Sequence, residues 1–324
     1  MTAWLLRRLV AALAIVFTVV TLTFVAVHLA PGTPFLTEDR PMDPAAVARL
    51  RQRFGLDQPI AVQYARYLAA LARGELGESF SQHRPVAAAL ADAIPNTILL
   101  TGTALLLDFV LGLAIGVLQA TRARRRVDVA LTNVTLLFYS LPTFWLGLVL
   151  LLVFGQWLKW LPVGGVVDPV LYDSLQVVGR LGDRLRHLAL PALTLGLVGA
   201  AGTARFQRGA MLEALRQEFV RAARAKGLSE RQIVLRHALR NALLPYITLL
   251  GLALPFLLTG AVLVESVFAW PGMGKLAADA ITSRDYPVVT ATTLLASTLV
   301  VLGSILADVL YAAADPRVRV QRPT

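Results

Sequence analysis

Apolar residues gather in six long windows almost free of Asp, Glu, Lys and Arg: Leu9–Ala30, Asn96–Thr121, Val129–Leu158, His187–Ala204, Asn241–Val264 and Tyr286–Ala307. A helix needs about 20 apolar residues to cross the roughly 30 Å hydrocarbon core of a bilayer. One soluble core could not bury six such stretches, so the pattern predicts an all-α integral membrane protein with six transmembrane helices. Asn96–Thr121 is interrupted only by Asp108. His187–Ala204 is the most marginal window, with Pro191 and several glycines, and is the one a buried core helix could also explain. The first window follows Arg7 and Arg8, as a secretory signal would. It is longer than the roughly 7–15 residues of a signal core and reads as a retained helix.

The intervening segments carry their own helix punctuation. Asp43-Pro44 reads as an N-cap followed by a proline in the first turn, opening a helix over Ala45–Phe54 that Gly55 ends. A second helix is expected from Pro59 to Arg73, stopped at Gly74, and a third over Val86–Ala93, ending before Pro95. This is a small helical insert on the outer side between the first two spans, either a spacer or a docking surface. Between windows four and five, Phe206–Lys226 reads as one helix and Gly227 as its end. Ser229 and Gln232 have the spacing of a capping box, in which hydroxyl and amide satisfy the first N–H groups of a new helix. The result is a helix–turn–helix, kept slim by Ala222, Ala223 and Ala225 and ringed by Arg221, Arg224, Lys226 and Arg231. It is either a basic connection or a docking element.

Charge then orients the windows. The chain has 324 residues, 56 % apolar and 16 % charged, with a net charge of +11. Arg7 and Arg8 precede window one, and Arg122, Arg124, Arg125 and Arg126 follow window two. Nine basic against three acidic residues fill Arg205–Arg240, and Arg317, Arg319 and Arg322 end the chain. The alternate segments are close to neutral: seven basic and seven acidic residues in 31–95, four and three in 159–186, two and three in 265–285. Basic segments stay in the cytoplasm. The alternation therefore predicts both termini cytoplasmic, in a multi-pass inner-membrane protein, and turns the positive charge into a topology signal that does not call for nucleic acid.

The same reading excludes several chemistries. There are no cysteines, and the four histidines lack metal-ligand spacing, so no metal site is expected. No phosphate loop is present; Gly272-Met273-Gly274-Lys275-Leu276 lacks the upstream glycine and the hydroxyl. No intramembrane catalytic dyad is evident. Ionisable groups within or beside windows are few: Asp108 mid-window, Glu265 at the outer end of window five, Asp308 near the inner end of window six. Asp108 is a candidate either for lining a pathway or pairing helices, or for a structural or interfacial role. Gly112 and Gly116 have close-packing spacing.

At this point the strings resemble a known family. Leu29-Ala30-Pro31-Gly32-Thr33-Pro34, Gly55-Leu56-Asp57-Gln58-Pro59 with Gln63-Tyr64, and Gly74-Glu75-Leu76-Gly77-Glu78-Ser79 resemble permease subunits of bacterial ATP-binding-cassette importers of the dipeptide/oligopeptide group, the first of their two permeases. Arg221–Gly227 resembles the importer motif E-A-A-x-x-x-G, with arginine in place of its glutamate and Gly227 18 residues before Pro245. Arg236–Pro245, Glu265–Phe268, Pro271–Gly274, Arg284–Pro287 and Asp315–Arg319 complete the series. The resemblance implies a type I (MetI-like) importer permease fold. It implies 1–95 as the first span plus outer insert, 96–310 as the transporter domain with a coupling loop at 205–241, and 311–324 as a cytoplasmic tail. It makes Arg221, Ala222, Ala223, Arg224, Lys226, Gly227, Leu228, Ser229 and Arg231 the surface that docks on an ATPase. Asp108, Glu265, Arg284 and Asp285 are pathway or gating candidates. The implied partners are a second permease, two ATPases that carry ATP and Mg, a periplasmic or lipid-anchored substrate-binding protein, and the bilayer. No cofactor and no catalysis are expected in this chain. Peptides are the implied cargo, with nickel, glutathione, oligosaccharide or opine-like cargo as alternatives. A secondary transporter would need more ion-coupling residues than Asp108.

Overall fold

The computed structural model describes residues 2–30, 44–253 and 261–314. The Asp43 cap, the Pro31–Pro34 string, part of window five and the tail from Asp315 lie outside them. The helices are α1 (Thr2–Leu29), α2 (Pro44–Arg53), α3 (Ile60–Ala72), α4 (Val86–Thr121), α5 (Arg126–Ser140), α6 (Thr143–Leu150), α7 (Val177–Arg216) and α8 (Glu218–Ala225). They continue with α9 (Glu230–Gln232), α10 (Leu239–Ala253), α11 (Val262–Val267), α12 (Met273–Thr282) and α13 (Tyr286–Ala314). No strand is present among the described residues; the sole ladder contact there is an isolated bridge from Glu78 to Pro85.

α1, α4, α7 and α13 are each long and apolar enough to cross a membrane, and α5 with α6 forms a fifth candidate bent by 103°. The bend falls at Leu141-Pro142, where both residues are extended. Window three is therefore a broken helix, because Pro142 supplies no N–H and pushes Leu141 out of helical geometry. Its ends still lie at opposite ends of α7: Asp128 meets Arg208, while Trp160 O accepts from Arg186. Of window five, α10 covers the first part.

The stop expected before Pro95 is absent. α4 runs unbroken through Pro95 for 36 residues, so the third insert helix and the second span are one rod, and a boundary at 95/96 falls inside it. Proline removes one ladder bond, but Asn96 Nδ2 donates to Asp92 O at 3.1 Å and to Pro271 O at 3.0 Å, tying this turn to its neighbour. α7 likewise runs 40 residues through the buried Pro191. The marginal hydropathy of this window has a simple cause: α7 lies in the middle of the bundle, and helices rather than lipid surround it.

α4 and α7 form the principal helix pair and run parallel. Leu100, Leu188, Ala192 and Trp270 pack at one end; Ala120, Met211, Ala214, Ala238 and Ala242 pack at the other. Between them the backbones touch. A Cβ on Gly116 would lie 2.7 Å from Ala204 O, one on Gly112 2.8 Å from Thr203 Cβ, and one on Gly196 2.8 Å from Leu107 Cβ. Small residues are how helices associate where lipid removes the hydrophobic drive. Gly116→Leu is expected to lower stability by about 1–3 kcal/mol through forced separation of α4 and α7. Thermal unfolding of the purified protein checks this, with Gly209→Ala, where the added carbon meets nothing within 4 Å, as a control expected to hold or slightly raise stability.

Candidate functional site

The basic end carries the helix–turn–helix. α7 does not continue to Lys226 as its sequence suggests. Gln217 is extended (φ −69°, ψ 152°) and separates α7 from α8. This hinge carries no glycine or proline to announce it, and it lets Val220 and Ala223 of α8 turn onto Ile233 and Leu228 in a small apolar cluster. α8 then ends as Gly227 requires. With Gly227 at φ +77°, its N–H donates to Arg224 O (2.9 Å) and that of Leu228 to Ala223 O (3.3 Å). This is a Schellman end with its apolar contact, and a left-handed residue there favours glycine. Ser229 opens α9 with a complete capping box. A π-helical stretch over Ile233–Ala238 joins it to α10.

Within this frame Ala223 is buried and Leu228 half-buried. Arg221, Ala222, Arg224, Ala225, Lys226, Ser229 and Arg231 are exposed. Arg224 bridges the turn to Glu230 at 2.8 Å, and Arg221 pairs with Glu218 at 3.0 Å. The hydrogen bond from Arg224 holds the Glu230 carboxyl below its usual range. The depressed value means that this stabilisation is present above the ordinary carboxylate pKa and is lost as pH falls through the lowered one. Exposed pairs add at most about 1 kcal/mol, so the rigidity of the turn rests on its backbone bonds and apolar cluster.

The other end, flanked by near-neutral segments, is organised by two buried carboxylates. Glu265 Oε2 accepts from Lys275 N at 2.8 Å, and its Oε1 accepts from Thr97 Oγ1 and Ala261 N, each at 3.2 Å. Thr97 Oγ1 in turn accepts from Met273 N at 2.7 Å. Glu265 thus fixes the start of α12 against α4. Asp285 Oδ2 accepts from Ser79 Oγ (2.5 Å), Ser81 N (2.9 Å) and Ser81 Oγ (2.8 Å), while Oδ1 faces Val288 N (3.4 Å) in the first turn of α13. Arg284 ends α12 in a left-handed conformation (φ +53°), a second Schellman end without glycine, which turns Asp285 inward. Asp108, half-buried in mid-bundle, accepts from Thr203 Oγ1 at 2.5 Å and lies against Gly199. Asp128 forms a paired bond with Arg208 (2.9 and 2.8 Å) and links α5 to α7, a tie that sequence spacing could not reveal.

Among the described residues, no group of acidic, histidine or cysteine side chains could hold a metal. What the arrangement offers is mechanical: a membrane-embedded helical body with a stiff handle at one end and pinned helix starts at the other, the organisation of a transport subunit. Comparison with known proteins is consistent with it. Residues 112–320 match the model of the binding-protein-dependent transport system inner membrane component, and residues 1–101 match the N-terminal model of the same system. The chain belongs to that permease family. It is 42 % identical to the di/tripeptide transport system permease protein DppB of Pseudomonas aeruginosa, over 99 % of this chain and 100 % of the relative. It is 38 % identical to the oligopeptide transport system permease protein AppB of Bacillus subtilis (98 % and 99 % covered) and 38 % identical to the glutathione transport system permease protein GsiC of Salmonella paratyphi A (98 % and 99 %). A chain from inward-facing structures of the MetNI methionine ABC transporter superposes with a TM-score of 0.51 at 22 % identity, covering 70 % of this chain and 96 % of that one. The fold is that of a type I importer permease.

Removing the carboxylate at 285 strands Ser79, Ser81 and the α13 start without an acceptor. Asp285→Ala is therefore expected to destabilise the neutral end by about 3 kcal/mol or more. Hydrogen exchange of residues 75–90 and 286–290 should accelerate together; unchanged protection there would show that Asp285 is not the tie.

Proposed function

We propose that the chain is one permease half of an ATP-driven importer of short peptides, with a second, similar permease completing the pathway. Two ATPase subunits, which carry ATP and Mg, dock on the turn formed by Arg221–Arg231, and a substrate-binding protein delivers cargo at the neutral end. Both termini are cytoplasmic in this reading, and 205–241 acts as the coupling loop within the transporter domain. The observation that carries the proposal is the turn itself: a basic, exposed loop whose backbone is locked at both sides, joined through α7 and α10 to the whole bundle. ATP can shift such a body only by the difference in affinity between its two states. Asp108, Glu265 and Asp285 serve gating as ties between helices, with Arg284 turning Asp285 inward at the end of α12, and no step of bond chemistry belongs to this chain. Glutathione is the second cargo reading, favoured by the relative from Salmonella; nickel, oligosaccharides and opine-like compounds are further tests of the same assay.

Gly227→Val forces a β-branched residue into the left-handed region. In proteoliposomes of the complete transporter it is expected to reduce ATP-dependent uptake of a labelled dipeptide about tenfold, roughly 1.4 kcal/mol of lost coupling, while hydrolysis persists. Wild-type coupling at normal assembly would remove the docking assignment. Separately, a fluorescent reporter fused after Thr324 is expected to be active in the cytoplasm; activity of a periplasm-dependent reporter at that position would overturn the topology.

A further inference from the structure

We propose that the neutral end binds an anionic phospholipid of the surrounding bilayer, one acyl chain entering a cavity between α1, α3 and α13 and the phosphate resting by Arg51, Arg66 and Arg284. The cavity is about 260 Å³, walled by Phe24 and His28 of α1, Tyr67 of α3, Leu76 and Phe80 of the following connector, and Pro287 of α13. Sites for drug-sized ligands begin near 300 Å³, so this one takes a single chain segment and not a peptide cargo.

Depth points to lipid. From Arg8 to His28 α1 rises about 30 Å, the thickness of the hydrocarbon core. With Arg8 at the inner boundary, His28 stands at the outer one. Phe24 and Thr290, each one turn into its helix, place the cavity floor about 6 Å below it, among acyl chains. α3 belongs to the same level: Tyr64 Oη meets Thr21 Oγ1 at 2.6 Å, and Gln63 meets His28 at 3.2 Å. Leu22, Val25 and Leu29 of α1 and Ile60 and Val62 of α3 are exposed apolar residues that continue the lipid-facing surface past the cavity.

The polar groups fit the rest of the lipid. Arg66 reaches the cavity wall at Gly55, and Arg51 and Arg284 lie close enough to Tyr286, on the cavity rim, to act on its hydroxyl electrostatically. None of the three makes an ion pair among the described residues. Of the described acids nearby, Glu75 pairs with Arg73 (3.1 Å) and Glu78 with Arg53 (3.4 Å). Arginine forks suit phosphate. The Tyr67 hydroxyl is buried in the wall beside the Thr290 hydroxyl, which donates to Tyr286 O at 2.9 Å.

The test places the complete transporter, with benzoylphenylalanine at Leu76, in nanodiscs of phosphatidylglycerol or of phosphatidylcholine and identifies the photo-adduct by mass. Phosphatidylglycerol adducts several-fold above phosphatidylcholine are expected, falling to the phosphatidylcholine level with Arg66→Glu. Equal yields in the two lipids, no lipid adduct, or an adduct to the binding protein or to this chain would each overturn the proposal. If the Leu76 variant does not assemble, the probe moves to Ala70. Native mass spectrometry of the unsubstituted complex, where retained phosphatidylglycerol is expected and its absence counts against the site, gives a reading free of any variant.

Discussion

The whole molecule depends on how closely α4 and α7 approach. In lipid, apolar side chains gain nothing by leaving the solvent, so helices associate through dispersion contacts and hydrogen bonds. Here glycines on both helices bring backbone against side chain and carbonyl, and Asp108 hydrogen-bonds Thr203 in the middle of the seam. Three further helices are placed against this pair: α5 through Asp128 and Arg208, α10 through the alanine-rich basic end, and α12 through Thr97 and Glu265. The bond between Asp108 and Thr203 joins the two rods by a polar contact as well as by close packing.

The two ends use different means to the same purpose. At the basic end the turn is held by local chemistry, a left-handed glycine followed by a capping box, with a small apolar cluster beneath. At the neutral end, two buried carboxylates each gather several donors from segments far apart in the chain. The basic end also has one long-range tie, between Asp128 and Arg208, but it lies beside the turn and not within it.

This contrast also explains how much could be read in advance. Helix ends written in nearest-neighbour chemistry were legible: Gly55, Gly74 and Gly227 all take positive φ, and Ser229 pairs with Gln232. Five of the six windows fall on α1, α4, the bent pair α5–α6, α7 and α13, the helices long and apolar enough to cross a membrane among the described residues, and the string Arg221–Gly227 located the turn. What failed was local reasoning about non-local outcomes. Pro95 looked like a stop because the rule assumes that the freed turn finds nothing better; Asn96 and the packing of α12 supply the remainder. The hinge at Gln217 has no residue that announces it. Ala269 and Arg284 take left-handed conformations without glycine because buried neighbours hold them there. The roles of Glu265 and Asp285 depend on partners 168 and 206 residues away, beyond any spacing rule.

The length of α7 has one more consequence. Its 40 residues make a rod about 60 Å long, twice the hydrocarbon thickness, and its glycine contacts with α4 fall near the midpoint. Packing with α4 continues from Leu100 and Leu188 to Ala120 and Met211, so α7 extends beyond the hydrocarbon with its partner alongside, and one continuous helix connects the neutral end to the hinge at Gln217.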